Sequence, residues 1–597
     1  MGPTAPAGEP PAADEPGGAG GAPRLLLGPL LRYVNADSAT VWVETDRPCE
    51  VAVSADDAVV REPTWTVHGH HYALVVLTGL PGAAELPYEV HLDGAPVWPD
   101  PAGAFGPSVI RTFRHDETLR LSFGSCRQCA DVGPRGLKDF GADALAALAA
   151  RMATTPHEEW PDALFLAGDQ IYADDPSPAL TARLKKAHPP SRRRRWPARA
   201  EVRHFEEYTW LYHETWTEPA VRWLLSTVPT VMVLDDHDLR DDWNTSLSWR
   251  RRMERQPWWP DRVTGAFASY WVYQHLGNLS PRELGEDEMF ALVRTAGDDD
   301  RRTRALDEFA RRADDEPSSV RWSFFRDFGD SRLGIRLVVV DSRCSRRLDP
   351  GNRAMVDDAD WRWVAEHALT PREGERIGHL LIGTTVPFLL PHGVHHLEGW
   401  SEAVASGGAW GRGAAWFAER VRRAVDLEHW AAFRQSFDAL VDLLGAVVRG
   451  PEPPASVLVL SGDIHSSYTA RARLRGVEHP ATAVHQLTMS PFRNPMRLVV
   501  RLAHEALERP AVRRFWKRMA LLAGVGEEGI EWTVQHGPWF TNGVMTIDIA
   551  GPRASVEIDR AEVNGGRQHL RRAVTAELTG GATHPAASTS AGPSPLS

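Results

Sequence analysis

Five short apolar runs in this chain each end in a polar string that can ionise or bind a metal, and that recurrence constrains the fold more than any other feature. Gly124-Ser125-Cys126 follows the run ending at Phe123, and Gly168-Asp169-Gln170-Ile171-Tyr172 follows Leu164-Phe165-Leu166. Asp235-Asp236-His237-Asp238 follows Val231 to Leu234, Asp341-Ser342-Arg343 follows Leu337 to Val340, and Ser461-Gly462-Asp463-Ile464-His465 follows Val457 to Leu460. Strands of α/β sheets present ligands and catalytic groups at their carboxyl ends. One such junction means little. Five, carrying Asp, His, Cys and Tyr, are expected to converge on one edge of one sheet.

The surrounding pattern is α/β. Apolar strands at Leu119–Phe123, Ala163–Ala167, Thr230–Leu234, Arg336–Val340, His379–Ile382, Val457–Leu460, Ala483–Leu487 and Val544–Ile549 alternate with helical stretches around Leu137–Met152 and Trp430–Val448. Antiparallel pairs are expected near the end. Before these, short alternating runs such as Thr40 to Glu44, Glu50 to Val53 and Val109 to Phe113 predict a small all-β sandwich, immunoglobulin- or fibronectin-like, with a packing role. The predicted organisation is a disordered tail over 1–23, the sandwich over 24–116, the α/β domain over 117–576 and a second tail over 577–597. Segments 181–202, 297–319 and 393–413 read as insertions. The first carries Arg192 to Arg195 and reads as a solvated loop. A basic, partly apolar helix near Met496–Leu522 reads as packed on the core, with peripheral membrane contact as the alternative.

Several carboxylates at one edge repel and raise one another's pKa unless something positive sits among them. A pair of metal ions resolves this. Carboxylate bridges hard cations, while imidazole, thiolate and phenolate suit a transition metal. Two metals together bind an ester's oxygens and lower the pKa of a bound water, which then attacks phosphorus in line with the leaving group.

Each element has a simpler reading. Cys126 and Cys129 form a Cys-x-x-Cys, but no second pair exists to complete a zinc site. Cys126 is favoured as a single ligand and Cys129 as packing. Cys49 and Cys344 read as buried small apolar residues. Tyr172 alone reads as core, and His395 and His396 as surface. The Asp-Asp-His-Asp string is more specific, since three carboxylates after a buried strand are costly without a role.

Taken together, the strings at 123–126, 168–174, 235–238 and 461–465 resemble the PhoD-like (alkaline phosphatase D) branch of the calcineurin-type metallophosphoesterases, over roughly residues 25–560. The resemblance implies a metallophosphoesterase-type β-sandwich of mixed sheets flanked by helices. It also implies phosphomonoesterase or phosphodiesterase activity with Fe(3+) and Ca(2+), Mn or Zn being the other candidates. Carried over, Asp169 is the bridging carboxylate. Cys126, Tyr172 and His465 are ligands of the iron-type ion, and Asp236 and Asp463 of the second. His237 contacts phosphate or protonates the leaving oxygen, and Arg127 and Arg240 are weaker candidates for phosphate contacts. Relatives often carry Asn-Asn where this chain has Asp241-Asp242, so Asp236, Asp241 and Asn244 all stay open as second-ion ligands.

The expected function is therefore hydrolysis of a small-molecule or polymeric phosphate ester. The alternatives are a binding protein on a decayed phosphatase fold, and a Cys-x-x-Cys redox protein. A net charge of -12 argues against general nucleic-acid binding. Four cysteines are too few for a disulfide scaffold. The Ala/Gly/Pro-rich start shows no signal-peptide pattern, from which a cytoplasmic location is expected, and no apolar run is long enough to span a bilayer. Monoester or diester preference and oligomeric state are not legible.

Overall fold

The computed structural model describes residues 21–113, 118–129, 133–188, 200–328, 333–371, 375–477 and 481–579. The reading of residues 1–20 and 580–597 as tails, and the Arg192 to Arg195 run, lie outside the described residues.

The N-terminal alternation does form a β-sandwich. One sheet runs Leu25–Val34, Ser38–Thr45, His70–Thr78, Trp65–Val67. The other runs Ala58–Pro63, Glu50–Ala55, Glu85–Leu92, Ala95–Trp98, with Val109–Arg111 added beside Glu85–Leu92. Period-two alternation places Val41, Val53, Val75 and Val90 in its core. The sandwich is not a free module. The rings of Trp42 and Tyr72 pack on Tyr273 of the large domain, with centroids 5.2 and 5.6 Å apart. Buried Arg32 donates to the carbonyls of Thr230 (3.0 Å), Tyr273 (2.8 Å) and Gln274 (2.7 Å), so a sandwich residue pins the strand that leads to Asp235.

The large domain is built on two mixed sheets. The six-stranded sheet has the order Thr230–Met232, Ala163–Leu166, Thr118–Gly124, Gly543–Ala550, Arg553–Asn564, Arg567–Glu577, with its first three strands parallel. The seven-stranded sheet has the order Phe324–Phe328, Leu333–Val339, Arg376–Gly383, Ser456–Ser461, Ala483–Thr488, Ser467–Leu474, Ile530–Trp539. Its second to fifth strands are parallel. Leu121, Phe123 and Phe165 of the first sheet share one core with Leu337, Val339, Leu458 and Leu460 of the second. The opposite phase of the same strands (Leu164 and Leu166; Val338, Val457 and Val459) packs against helices. The result is helices outside two facing sheets. Fully burying each such Leu, Val or Phe is worth about 1.5–3 kcal/mol.

Some predicted elements are subdivided. The stretch 137–152 is two helices, Pro134–Phe140 and Ala144–Met152, because Asp143 caps the second through the backbone N–H of Leu145 and Ala146. The stretch 496–522 is likewise Leu498–Leu507 and Pro510–Leu522, broken where Pro510 opens the second helix. Segments 297–319 and 393–413 are largely helical: Asp299–Asp315, and His392–Ala405 followed by a helix starting at Gly411.

Candidate metal centre

The five polar junctions do converge, but from two sheets and not from one edge. Strands at 118–124, 163–166 and 230–232 deliver Cys126, Asp169 and the 235–238 string from the six-stranded sheet. Strands at 333–339 and 456–461 deliver Arg343 and Asp463 from the seven-stranded one. Local sequence cannot distinguish these cases, because a buried parallel strand looks the same in either sheet.

Close approach depends on two glycines. A side chain at Gly168, whose φ is +108°, would place its Cβ 2.6 Å from the Asp235 Cβ. One at Gly462 would place it 2.1 Å from Ser125 Oγ. Through that gap the Asp463 N–H donates to Ser125 Oγ (3.0 Å), which links the two sheets beneath the site. Cys126, Asp169, Asp463 and His465 all adopt positive φ, at 58°, 51°, 66° and 48°. Such conformations cost of order 1–3 kcal/mol each and persist where surrounding structure enforces them. Four of them on neighbouring junctions mark a site shaped against local preference.

Asp169, Asp235, Asp236 and Asp463 each offer a carboxylate oxygen within 4.8 Å of the others. Asp169 Oδ1 and Asp235 Oδ2 are buried with no hydrogen-bond partner. Such atoms cost about 1–3 kcal/mol each when left bare, more for charged groups. Cys126 Sγ lies 3.3 Å from Asp169 Oδ2 and 3.1 Å from Ser125 Oγ. The Tyr172 hydroxyl accepts from Asn494 Nδ2 at 3.1 Å. Burial, with Asp235, Asp238 and Asp463 nearby, pushes the Asp169 carboxyl well above the usual range, although His237 opposes this. Burial raises the Cys126 thiol and the Tyr172 phenol in the same way. Asp235 is pushed up to about 6, chiefly by burial, and Asp236 goes well above the usual carboxylate range. Without added positive charge this cluster takes up protons. With it, the carboxylate oxygens and the sulfur, phenol and imidazole donors form a set suited to cations.

One cation is built in. Arg343 is fully buried, and its guanidinium contacts Asp235 and Glu428, lies 3.2 Å from Asp236 Oδ1 and 3.7 Å from Asp463 Oδ1. Glu428 also accepts from Thr245 Oγ1 (2.7 Å) and Arg346 Nη1 (3.1 Å). On the far side of Asp463, His429 Nε2 stands 3.2 Å from Oδ2 while its Nδ1 bonds Glu398, a buried residue of the His392–Ala405 helix. Burial would raise the Asp463 carboxyl, yet His429 and Arg343 hold it below the ordinary value.

His237 presents Nδ1 to Asp174 Oδ1 at 2.9 Å, and its ring lies 4.6 Å from that of Tyr172. Asp238 faces away, accepting from the backbone N–H of Asp235 (3.0 Å) and Ile171 (3.3 Å), so it shapes the turn. His465 sits near Asp463 and His237, and burial pushes it down to about 4.

The other candidates stand differently. The Arg127 guanidinium is buried against Asp143 (2.9 Å from Nε) and the Thr215 carbonyl (2.8 Å), and so is not brought into the acidic group. Arg240 is paired with Glu201. Asn244 spends its amide on the Arg343 carbonyl (3.1 Å), and Asp241 is more than half exposed, 3.9 Å from His237 Nε2. Of the three residues left open for the second ion, Asp236 alone joins the acidic group. Cys129 Sγ donates to the Glu214 carbonyl at 3.4 Å, away from the contacts of Cys126, and all four thiols are free. His395 is buried against Phe437 and Trp532 and is not at the surface. Asp235, Arg343, Glu428, His429 and Glu398 were missed. Asp235 and Arg343 carried a signal, as strand-end residues in two of the five strings. The Glu428-His429 pair carried none beyond its residue types.

Residues 143–290 match the family model PhoD-like phosphatase, a span that includes Asp169, Tyr172, Asp236 and His237. Residues 22–110, the β-sandwich, match a domain of unknown function, DUF7800. A solved structure titled "Structure of PhoD" superposes with a TM-score of 0.55 at 12% identity, covering 93% of each chain. A maltogenic amylase from S. marinus matches at a TM-score of 0.15 and 11% identity, covering 89% of this chain and 76% of that one. No curated protein sequence matches.

Proposed function

We propose that this PhoD-like phosphatase chain hydrolyses phosphate esters, monoesters or diesters, at a two-metal centre formed between the two sheets. The observation that carries the reading is the group Asp169, Asp235, Asp236 and Asp463, with a bare, buried oxygen on Asp169. A carboxylate oxygen so placed fits a cation better than any protein donor within reach.

In this reading Asp169 would help to hold both ions. Cys126, Tyr172 and His465 would supply the softer donors that suit an iron-type ion, and Asp236 and Asp463 the harder ones that suit a calcium-type ion. When bound, the metals supply a water of lowered pKa and positive charge for the phosphoryl oxygens. The chain's own groups do the rest. Asp174 fixes the His237 ring through Nδ1, which leaves Nε2 for the leaving oxygen. Glu398 fixes His429, which in turn orients Asp463. Arg343 limits the repulsion that burial imposes on Asp235 and Asp236.

The test is turnover of p-nitrophenyl phosphate and bis(p-nitrophenyl) phosphate by chelator-stripped protein, before and after iron, calcium, manganese or zinc is restored. Asp169→Asn is expected to lower the rate by about three orders of magnitude or more, of the order a metal-activated nucleophile supplies. It should leave the melting temperature of the stripped protein unchanged or higher, since a strained carboxylate is removed. Hydrolysis that survives complete metal removal overturns the reading.

A further inference from the structure

The helix Leu498–Leu507 has no buried residue although it is rich in Leu, Val and Ala. Leu498, Val499 and Leu502, spaced to share one face, are 66%, 79% and 54% exposed. The next helix, Pro510–Leu522, packs its inner face through Trp516 on Trp400, with centroids 5.2 Å apart, and through buried Ala520. Its outer face exposes Phe515, Leu521 and Leu522, with Arg514 and Arg518 between them. A monomer does not ordinarily leave so many large apolar side chains together in water.

Charge selects what covers them. Residues 497–518 hold seven Arg and Lys against only Glu505 and Glu508, in a chain whose net charge is -12. Arg514, Lys517 and Arg518 have no ion-pair partner among the described residues. Exposed apolar side chains ringed by cations fit a surface with a hydrocarbon interior and anionic headgroups. The patch also adjoins the centre. Asn494, which hydrogen-bonds Tyr172, lies four residues before Leu498, and His504 is near enough to His429 to feel its charge.

We propose that the helices Leu498–Leu507 and Pro510–Leu522 form a docking surface for an anionic lipid bilayer, with the metal centre beside the contact. No described helix is long and apolar enough to cross a membrane, so the contact is peripheral. The proposal is independent of the reaction assigned above, because it concerns only where the chain sits.

The test is co-sedimentation of the full chain with vesicles of phosphatidylcholine alone and of phosphatidylcholine with phosphatidylglycerol. Binding is expected only to the anionic vesicles, and it should weaken as salt is added. Val499→Glu/Leu502→Glu and Arg514→Glu/Arg518→Glu should each reduce it about tenfold or more. These side chains are exposed, so the melting temperature should hold and show that the variants are folded. Equal binding to neutral and anionic vesicles, or binding indifferent to both variants, overturns the proposal. So does a concentration-dependent dimer that the Val499→Glu/Leu502→Glu variant abolishes in a chain that binds no vesicle, because a second copy would then be the occupant.

Discussion

The Arg343 guanidinium and the Asp236 carboxylate meet 3.2 Å apart, each delivered by a different sheet. The same guanidinium contacts Asp235 and Glu428, so one cation holds three buried carboxylates. Arg343→Met keeps much of the side-chain volume but strands those carboxylates. Removing one partner of a buried pair typically costs about 3–5 kcal/mol, because the remaining charge stays buried. The metal-free protein should therefore melt markedly lower than the parent. Added calcium or manganese should restore more of the loss in the variant than it adds to the parent. Thermal denaturation with and without the cation reads both. An unchanged metal-free melting temperature would mean that Arg343 is not the counter-charge.

The two thiols of the Cys-x-x-Cys string turn to different neighbours, Cys126 to Asp169 and Cys129 to the Glu214 carbonyl. Burial pushes Cys129 up to about 12, which makes it a poor thiolate at neutral pH. Cys126→Ala should remove one bound metal equivalent and most of the turnover, read by elemental analysis and steady-state rates. Cys129→Ala should leave both within about twofold. Equal and severe loss in the two variants would restore the redox alternative.

Glu44 of the β-sandwich is fully buried, 3.0 Å from His70 Nδ1, 2.8 Å from His213 Nε2 and 2.9 Å from the Tyr273 hydroxyl. Burial alone would raise its carboxyl, but His213 and His70 bring it down from 4.5 to about 2. Burial would lower His70, yet Glu206 and Glu44 raise it from 6.5 to about 9. The signs follow from linkage. The Glu44 contribution is complete above about pH 4.5 and is lost as pH falls through about 2. The His70 contribution is complete below about pH 6.5 and is lost as pH rises through about 9. The stability this pair adds should thus plateau between about pH 4.5 and 6.5, read as the difference in melting temperature between the parent and Glu44→Gln. That difference should correspond to about 3 kcal/mol on the plateau and shrink on either side of it. A parallel offset at every pH would contradict this linkage.

How much of this was legible follows from which forces are local. The strand-end strings could be read because a strand's apolar run and the residue after it are adjacent in sequence. Cys126, Asp169, Asp236 and Asp463 therefore read as neighbours from the sequence alone. Arg343 meeting Glu428, 85 residues away, is a tertiary pairing that no periodicity encodes. Glu398 was overlooked for a related reason. The Gly- and His-rich start of its helix reads as an insertion with surface histidines, although burial of Trp400 and Leu397 holds the helix in place. The expectation of a single sheet failed because the facing sheets repeat one apolar pattern, and only the shared core at Phe123, Phe165, Leu458 and Leu460 tells them apart.

His237 and Asp174 form a dyad whose role can be separated from phosphate binding. Burial lowers the His237 pKa, but Asp174, by charge and hydrogen bond, outweighs this and raises it above the usual imidazole value, which favours the acid form of the ring. A proton donor matters in proportion to the basicity of the oxygen it serves. His237→Asn should then lower kcat on an alkyl phosphate by about 10²–10⁴-fold and on p-nitrophenyl phosphate far less. Asp174→Asn removes the group that raises the imidazole. The acid form would then be lost at lower pH, which moves the alkaline limb of the alkyl-phosphate profile downward while the p-nitrophenyl profile stays in place. Loss of equal size on both substrates, with no movement of that limb, would make His237 a phosphate contact and leave the leaving group to water.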